Sequence, residues 1–428
     1  MSEKRSNRLD VSALKQSRDF RYMLAAGVIT GLGSMVTVVA LPLQVAQMTG
    51  SYLAVGIFGI VELIPLIVFG LWGGAIADSF DRKRVVILCE VGLALCSLGL
   101  FLNARADEPQ LWILYVEVFL FSVFDGLQRP SLESLLPVLL PTHLLPSAGA
   151  LNSLRWNFSS IAGPAIGGII AAVAGVEYCY GLDVISYVVS ALLLLRLSAR
   201  ATKHEKQSIS AKFVFSGLKY AKSRPDLLGT YAVDIIAMVF AFPTALFPFI
   251  IDEFDAPWAL GFLYSAMSIG SLIATLGSGR SKYVNARGKM IIGAASLWGI
   301  SIAAAGIAPN IYLVLIALVF AGAFDMVSGL FRQLIWNTTV PLEMRGRLAG
   351  IELLSYSTGP QLGQVRASVT ANAIGLRGSL ISGGLLCFVG ASGVGVALRD
   401  LWNFDERTNK YAVQERNSRR DTNISENF

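Results

Sequence analysis

The chain has 428 residues, of which 54% are hydrophobic and only 15% charged, against about 25% charged in ordinary soluble domains. Its net charge of +6 would suit a nucleic-acid partner, but the lysines and arginines stand beside long apolar runs, where bilayer orientation accounts for them. Two histidines, four cysteines without a Cys-x-x-Cys pair and no Gly-rich phosphate loop argue against haem, a metal centre or an ATP motor.

Hydrocarbon cannot hydrogen-bond a peptide group, so this much apolar sequence is expected to cross a membrane as helices. A basic segment, 1–19, comes first. The run after it is long enough to span and is expected to be retained rather than cleaved. Six spans are predicted near 20–45, 52–77, 85–104, 111–138, 148–174 and 178–197, forming a six-helix bundle over 20–197. A polar, basic joint at 198–226 carries Phe213, Val214, Gly217, Leu218 and Ala221 on one helical stripe, the pattern of an interfacial helix. Six more spans, near 227–251, 258–280, 289–308, 311–337, 348–373 and 378–399, give a second bundle over 227–399. The tail, 400–428, is expected to be cytoplasmic, and from 405 it is polar and expected to be disordered. The fold class is thus an all-α membrane protein of twelve helices. Cys89, Cys96, Cys179 and Cys387 fall in or beside the spans and read as small apolar residues.

Lysine and arginine gather in alternate connections. They include Arg82, Lys83 and Arg84, then Arg280, Lys282, Arg287 and Lys289, then Arg345 and Arg347, whereas 252–257 is acidic. The positive-inside rule places both termini in the cytoplasm. The halves also repeat. Phe124-Asp125 in span four returns as Phe324-Asp325 in span ten, and Gly163-Pro164 in span five as Gly359-Pro360 in span eleven. Such duplications place a binding site near the midplane, between halves that rock around it.

The stretch Gly73 to Arg84 resembles the signature loop of the major facilitator superfamily. Gly74, Asp78, Arg82, Lys83 and Arg84 match; Ser79 and Asp81 depart, the latter from a usual glycine. The resemblance implies a loop that stabilises one conformation of a transport cycle. Gly163, Pro164, Gly167 and Gly168 resemble the span-five motif of exporters and antiporters in that superfamily, although a usual upstream glycine is missing. From about 12 to 400 the chain is most similar to the enterobactin exporter group. The strings Leu182-Asp183, Gly261 to Tyr264 and Gly346-Arg347 support this, and drug-efflux relatives share many of them.

An ionisable residue in hydrocarbon is costly and is a functional candidate by default. Asp125, Arg129 and Glu133 fall on one face of span four, and Asp325 and Arg332 on one face of span ten. Asp125, Asp325, Glu62 and Glu133 are candidates to load and unload a proton; the alternative is ion pairs that lock neighbouring spans. Arg155, Arg129, Arg366 and Arg332, with Asn152 and Trp156, are candidates to meet an anionic aromatic substrate. Phe158, Tyr187, Phe240, Phe242, Phe247, Tyr264, Trp336 and Tyr356 can stack on catechol rings or simply pack. Glu117, Asp183 and Asp234 read as solvated, surface or gate residues near span ends.

The resemblance implies a proton-coupled exporter of an enterobactin-like catecholate, working by alternating access in a bacterial inner membrane. The alternative is a multidrug or macrolide antiporter. No cofactor is expected beyond the proton gradient, no nucleic-acid partner, and a monomer is the favoured state. No nucleophile or metal constellation suggests an enzyme. A passive channel would not need two half-repeats with latch loops.

Overall fold

The computed structural model describes residues 10–79, 81–198, 219, 220 and 222–425; side chains are described except at 70–79, 280, 282, 342, 343, 346, 347, 349–356 and 419–425. Among these residues every regular element is helical. A short turn, Ser12–Gln16, leads into α1 (Arg18–Thr49), α2 (Tyr52–Ser79), α3 (Arg82–Ala104), α4 (Leu111–Leu139), α5 (Leu145–Val173) and α6 (Val176–Leu195). After the joint come α7 (Pro225–Ala241), a short continuation Phe247–Glu253, α8 (Leu260–Gly277), α9 (Arg287–Ile307), α10 (Ile311–Thr339), α11 (Leu342–Ala397) and a tail helix, α12 (Lys410–Ser425).

The predicted spans eleven and twelve lie within one helical run. Its apolar part, Ser357–Ala397, has 41 residues, or about 60 Å of helix against about 30 Å of hydrocarbon. Gly375 breaks it with φ 81° and ψ 168°, a conformation open only to glycine without strain. The run therefore supplies two crossings, which makes twelve among the described residues. The prolines inside α1, α2, α4, α5 and α11 are tolerated as they commonly are in membrane helices.

Two compact units form, one from the chain up to Leu41 together with Val68–Ser208, the other from Pro42–Ile67 together with the chain from Ile209 onward. In the first, Ala26, Val86, Leu135 and Leu194 join α1, α3, α4 and α6 in one buried cluster. A second cluster seats the leading turn: Ala13 and Phe20 pack with Leu140, Leu144 and Leu151, and Ser147 Oγ donates to the Asp10 carbonyl at 2.8 Å. In the second unit, Leu227, Ile291, Phe331, Leu348 and Leu401 belong to one core. The early part of α2 lies in this unit, with the Tyr52 ring 4.3 Å from that of Phe249.

The repeat is visible as packing. A Cβ on Gly167 of α5 would stand 2.9 Å from Val36 Cα of α1, and one on Gly163 would stand 3.2 Å from the Leu32 carbonyl. In the second unit a Cβ on Gly359 of α11 would stand 2.7 Å from Met238 Cβ of α7, and one on Gly363 would stand 2.9 Å from Phe242 Cβ. Each Gly-Pro motif thus lets the fifth helix of its half approach the first, as small residues do where membrane helices cross closely.

The tail differs from its expectation of disorder. Leu401, Phe404 and Ala412 are buried, and Arg224, itself buried, stacks its guanidinium 3.4 Å from the centre of the Tyr411 ring. A polar segment is ordered here because a few apolar side chains and one cation anchor it. The predicted interfacial helix falls on 198–226, most of which lies outside the described residues.

Candidate transport site

Within the first unit, Asp125, Arg129 and Glu133 present exposed side chains along one face of α4, at successive turns of the helix. Behind that face lies a buried polar cluster. Asp183 on α6 has no exposed surface. Its Oδ2 accepts from Thr37 Oγ1 of α1 at 2.8 Å and from Ser97 Oγ of α3 at 2.7 Å. Glu90 on α3 is 3% exposed, and its Oε1 accepts from Gln128 Nε2 of α4 at 2.9 Å. Its Oε2 has no hydrogen-bond partner among the described residues. Tyr187 OH and Ser34 Oγ share a hydrogen bond of 2.7 Å. Neutral donors hold both carboxylates. Burying a carboxylate away from water is costly unless donors replace the water, and these hydroxyls and this amide do so.

Arg155 on α5 donates from Nη1 to the Gly27 carbonyl at 3.1 Å, and its Nε has no partner among the described residues. Asn152 is half-buried nearby in sequence. Trp156 is 53% and Phe158 52% exposed, so these rings offer surface for stacking. Tyr187 and Phe247 are buried. Trp336 is occupied by a hydrogen bond from Nε1 to Tyr231 OH at 2.9 Å, while Tyr356 lies outside the described side chains.

In the second unit Arg332 pairs with Asp234 on α7 rather than with Asp325, its neighbour on α10. Asp325 is half-buried. Arg366 on α11 donates to the Phe240 and Val239 carbonyls and, at 3.1 Å, to the Ser379 carbonyl. Glu62 is half-buried on α2, within electrostatic reach of Tyr264.

Three sequence expectations need correction. Asp183 and Asp234 are buried rather than at the surface, because hydroxyls and Arg332 respectively replace their water. Glu117 turns inward: its Oε2 is buried, and its carboxyl lies against Gly99 of α3.

The signature loop acts on helix ends. Gly74 and Asp78 lie on the part of α2 outside the described side chains. Asp81, where glycine is usual, caps α3 by accepting from the Lys83 amide at 3.0 Å, which accounts for the departure. Arg82 donates to the Ser134 carbonyl at 3.1 Å. Lys83 Nζ reaches the Leu195 carbonyl at 3.0 Å and also that of Leu197. Arg84 is exposed and lies 3.6 Å from Asp81. Two cations therefore meet carbonyls near the C-terminal ends of α4 and α6, where positive charge is favoured.

Residues 11–418 match the family described as transmembrane secretion effector. The chain belongs to this family. It is a multi-pass transporter of the major facilitator superfamily. The chain is 28% identical over 398 residues to the enterobactin exporter EntS of Shigella boydii serotype 18, covering 90% of this chain and 95% of that protein. In fold it is similar to a bacterial homologue of the lysosomal transporter Spinster (TM-score 0.69, 12% identity, 90% and 98% of the two chains). A bacterial homologue of the iron transporter ferroportin is comparable (TM-score 0.68, 14% identity, 90% and 98%).

For this transporter, sequence reasoning missed Glu90 and Gln128. Glu90 follows five apolar residues of span three, six residues after the basic run, a position that reads as an interfacial charge. The available signal was its phase: Glu90, Leu93 and Ser97 recur at helical spacing and are all buried.

Proposed function

We propose that this transporter exports a catecholate siderophore of the enterobactin type from the cytoplasm across the bacterial inner membrane, driven by proton entry and working by alternating access. The observation that carries the substrate class is the similarity to an enterobactin exporter over nine-tenths of the chain. On this reading the exposed rings of Trp156 and Phe158 stack on catechols. Arg129 and Arg155 meet their acidic hydroxyls, and Asn152 supplies a neutral contact beside them. Arg332 and Arg366, already bound within the second unit, act through the helices they tie together. Asp125 and Asp325, at repeat-related positions, take up and release protons, with Glu62 and Glu133 as further carboxylates on the route. The motif at Gly163, Pro164, Gly167 and Gly168 keeps α5 close to α1 during the cycle.

The test is catecholate in the medium of an iron-starved deletion strain. Secretion should fall in that strain, return with the wild-type gene, and fail to return with Asp125→Asn. Unchanged secretion together with new sensitivity to macrolides or dyes would replace the siderophore reading with a drug antiporter.

A further inference from the structure

A groove of about 630 Å³ opens between the start of α9 and the end of α11. Its deep wall is Ile292, Ser296 and Ser392, and the two hydroxyls lie 3.2 Å apart. Its mouth carries Lys289, Arg399 and Trp402, and no carboxylate lines it. Lys289 sits in the first turn of α9 and Arg399 just beyond α11, so both cations mark the same end of the bundle. Lys289 Nζ stands 5.7 Å from the centre of the Trp402 ring. Neighbouring Arg287 is consumed by Glu406, Thr338 and the Leu334 carbonyl, whereas neither Lys289 nor Arg399 enters an ion pair among the described residues.

The apolar walls and polar mouth have the layout of a membrane interface. Tryptophan, lysine and arginine collect at that depth. Val396, which lines the groove, is 75% exposed, as suits a side chain facing acyl chains. Gly293 borders open space: a Cβ there would meet nothing within 4 Å. Two cations lacking carboxylate partners, set over an apolar trough with hydroxyls within, are complementary to a phosphodiester with hydrocarbon attached.

We propose that this groove binds the headgroup and upper acyl chain of an anionic phospholipid. Lys289 and Arg399 take the phosphate, Trp402 covers the glycerol region, and the acyl chain runs along Ile292, Gly293 and Val396. The site is independent of which solute the transporter carries.

The test is native mass spectrometry of the full-length protein in detergent, titrated with phosphatidylglycerol or with phosphatidylcholine of the same chains. Phosphatidylglycerol should bind preferentially. The double variant Lys289→Gln/Arg399→Gln should weaken it about tenfold or more, since each cation near an anionic headgroup contributes about 1 kcal/mol. Gly293→Leu keeps both charges and projects a side chain into the trough, where its Cβ meets nothing within 4 Å; it should abolish the preference while leaving the melting temperature of lipid-free protein unchanged. It reads the proposal even if the charge variants fail to fold. Equal retention of both lipids, or phosphatidylglycerol binding that survives Gly293→Leu, would overturn the site. Displacement of the lipid by millimolar inorganic phosphate would assign the cations to a water-soluble phosphate compound instead.

Discussion

Arg332 on α10 forms its ion pair with Asp234 on α7, joining the first and fourth helices of the second half. Asp234 is 6% exposed. Removing one member of such a pair leaves an uncompensated buried charge, which costs about 3–5 kcal/mol. Arg332→Gln and Asp234→Asn are each expected to lower the thermal midpoint in detergent. The double variant should recover much of the loss, because no lone charge then remains. Additive losses would show that the two side chains do not interact.

The same logic gives Glu90 a distinct signature. It accepts from Gln128 Nε2 and has one oxygen unbonded. Glu90→Gln keeps the side chain's shape and an acceptor for Gln128, so it is expected to cost less stability than Glu90→Leu, which leaves that amide unpaired. Proton-driven uptake by inverted vesicles should fall if Glu90 takes part in proton transfer. Unaltered pH dependence of transport in Glu90→Gln would confine this residue to packing.

Much of the fold was legible because the bilayer restricts spanning structure to self-satisfied helices. Hydropathy alone located the spans, and the paired Gly-Pro strings marked the repeat, though not that the fifth helix of each half packs on the first. The break between spans eleven and twelve was legible, placed between 373 and 378; what hydropathy did not show is that the chain stays helical on both sides and turns at the single positive-φ residue Gly375. Site residues were legible by type and phase but not by partner. Asp325 and Arg332 share a face of α10, yet the arginine turns to a carboxylate on another helix, which no spacing within α10 encodes. Arg366 likewise spends its donors on backbone carbonyls of α7 and α11, a destination fixed by tertiary packing.

The close approach of α5 to α1 predicts matched effects in the two halves. Gly167→Ala would press a methyl to 2.9 Å from Val36 Cα, and Gly359→Ala to 2.7 Å from Met238 Cβ. Overpacking of this kind costs about 1–3 kcal/mol. Neither obstacle can swing aside, since Val36 Cα is backbone and Met238 Cβ is fixed to it, so both variants should lose stability by comparable amounts. Scanning fluorimetry of purified protein checks this; absent losses would mean that the helices separate readily.

Arg224, 1% exposed, is the anchor of the tail. Its Nε and Nη2 donate to the two oxygens of Asp226 at 2.9 and 2.8 Å, Nη1 donates to Tyr220 OH at 2.8 Å, and the guanidinium stacks on Tyr411 of α12. Lysine cannot supply a bidentate fork and a planar stack together. Arg224→Lys is therefore expected to loosen α12 while Asp226 keeps a cation, and Arg224→Ala to destabilise the whole unit by about 3–5 kcal/mol. Limited proteolysis after Phe404 reads the first effect, and thermal unfolding the second. Acid should not mimic either near neutrality. At the foot of the tail, hydrogen bonds from the Arg407 side chain and amide hold Asp405 down to about 2. That depressed value means its contribution is complete above the ordinary 3.8 and is lost as pH falls through about 2. Protease resistance of the tail should thus be constant from about pH 5 to about pH 8 in wild type, a range that lies wholly above both values. A sharp loss inside that range would point to a different group holding the tail.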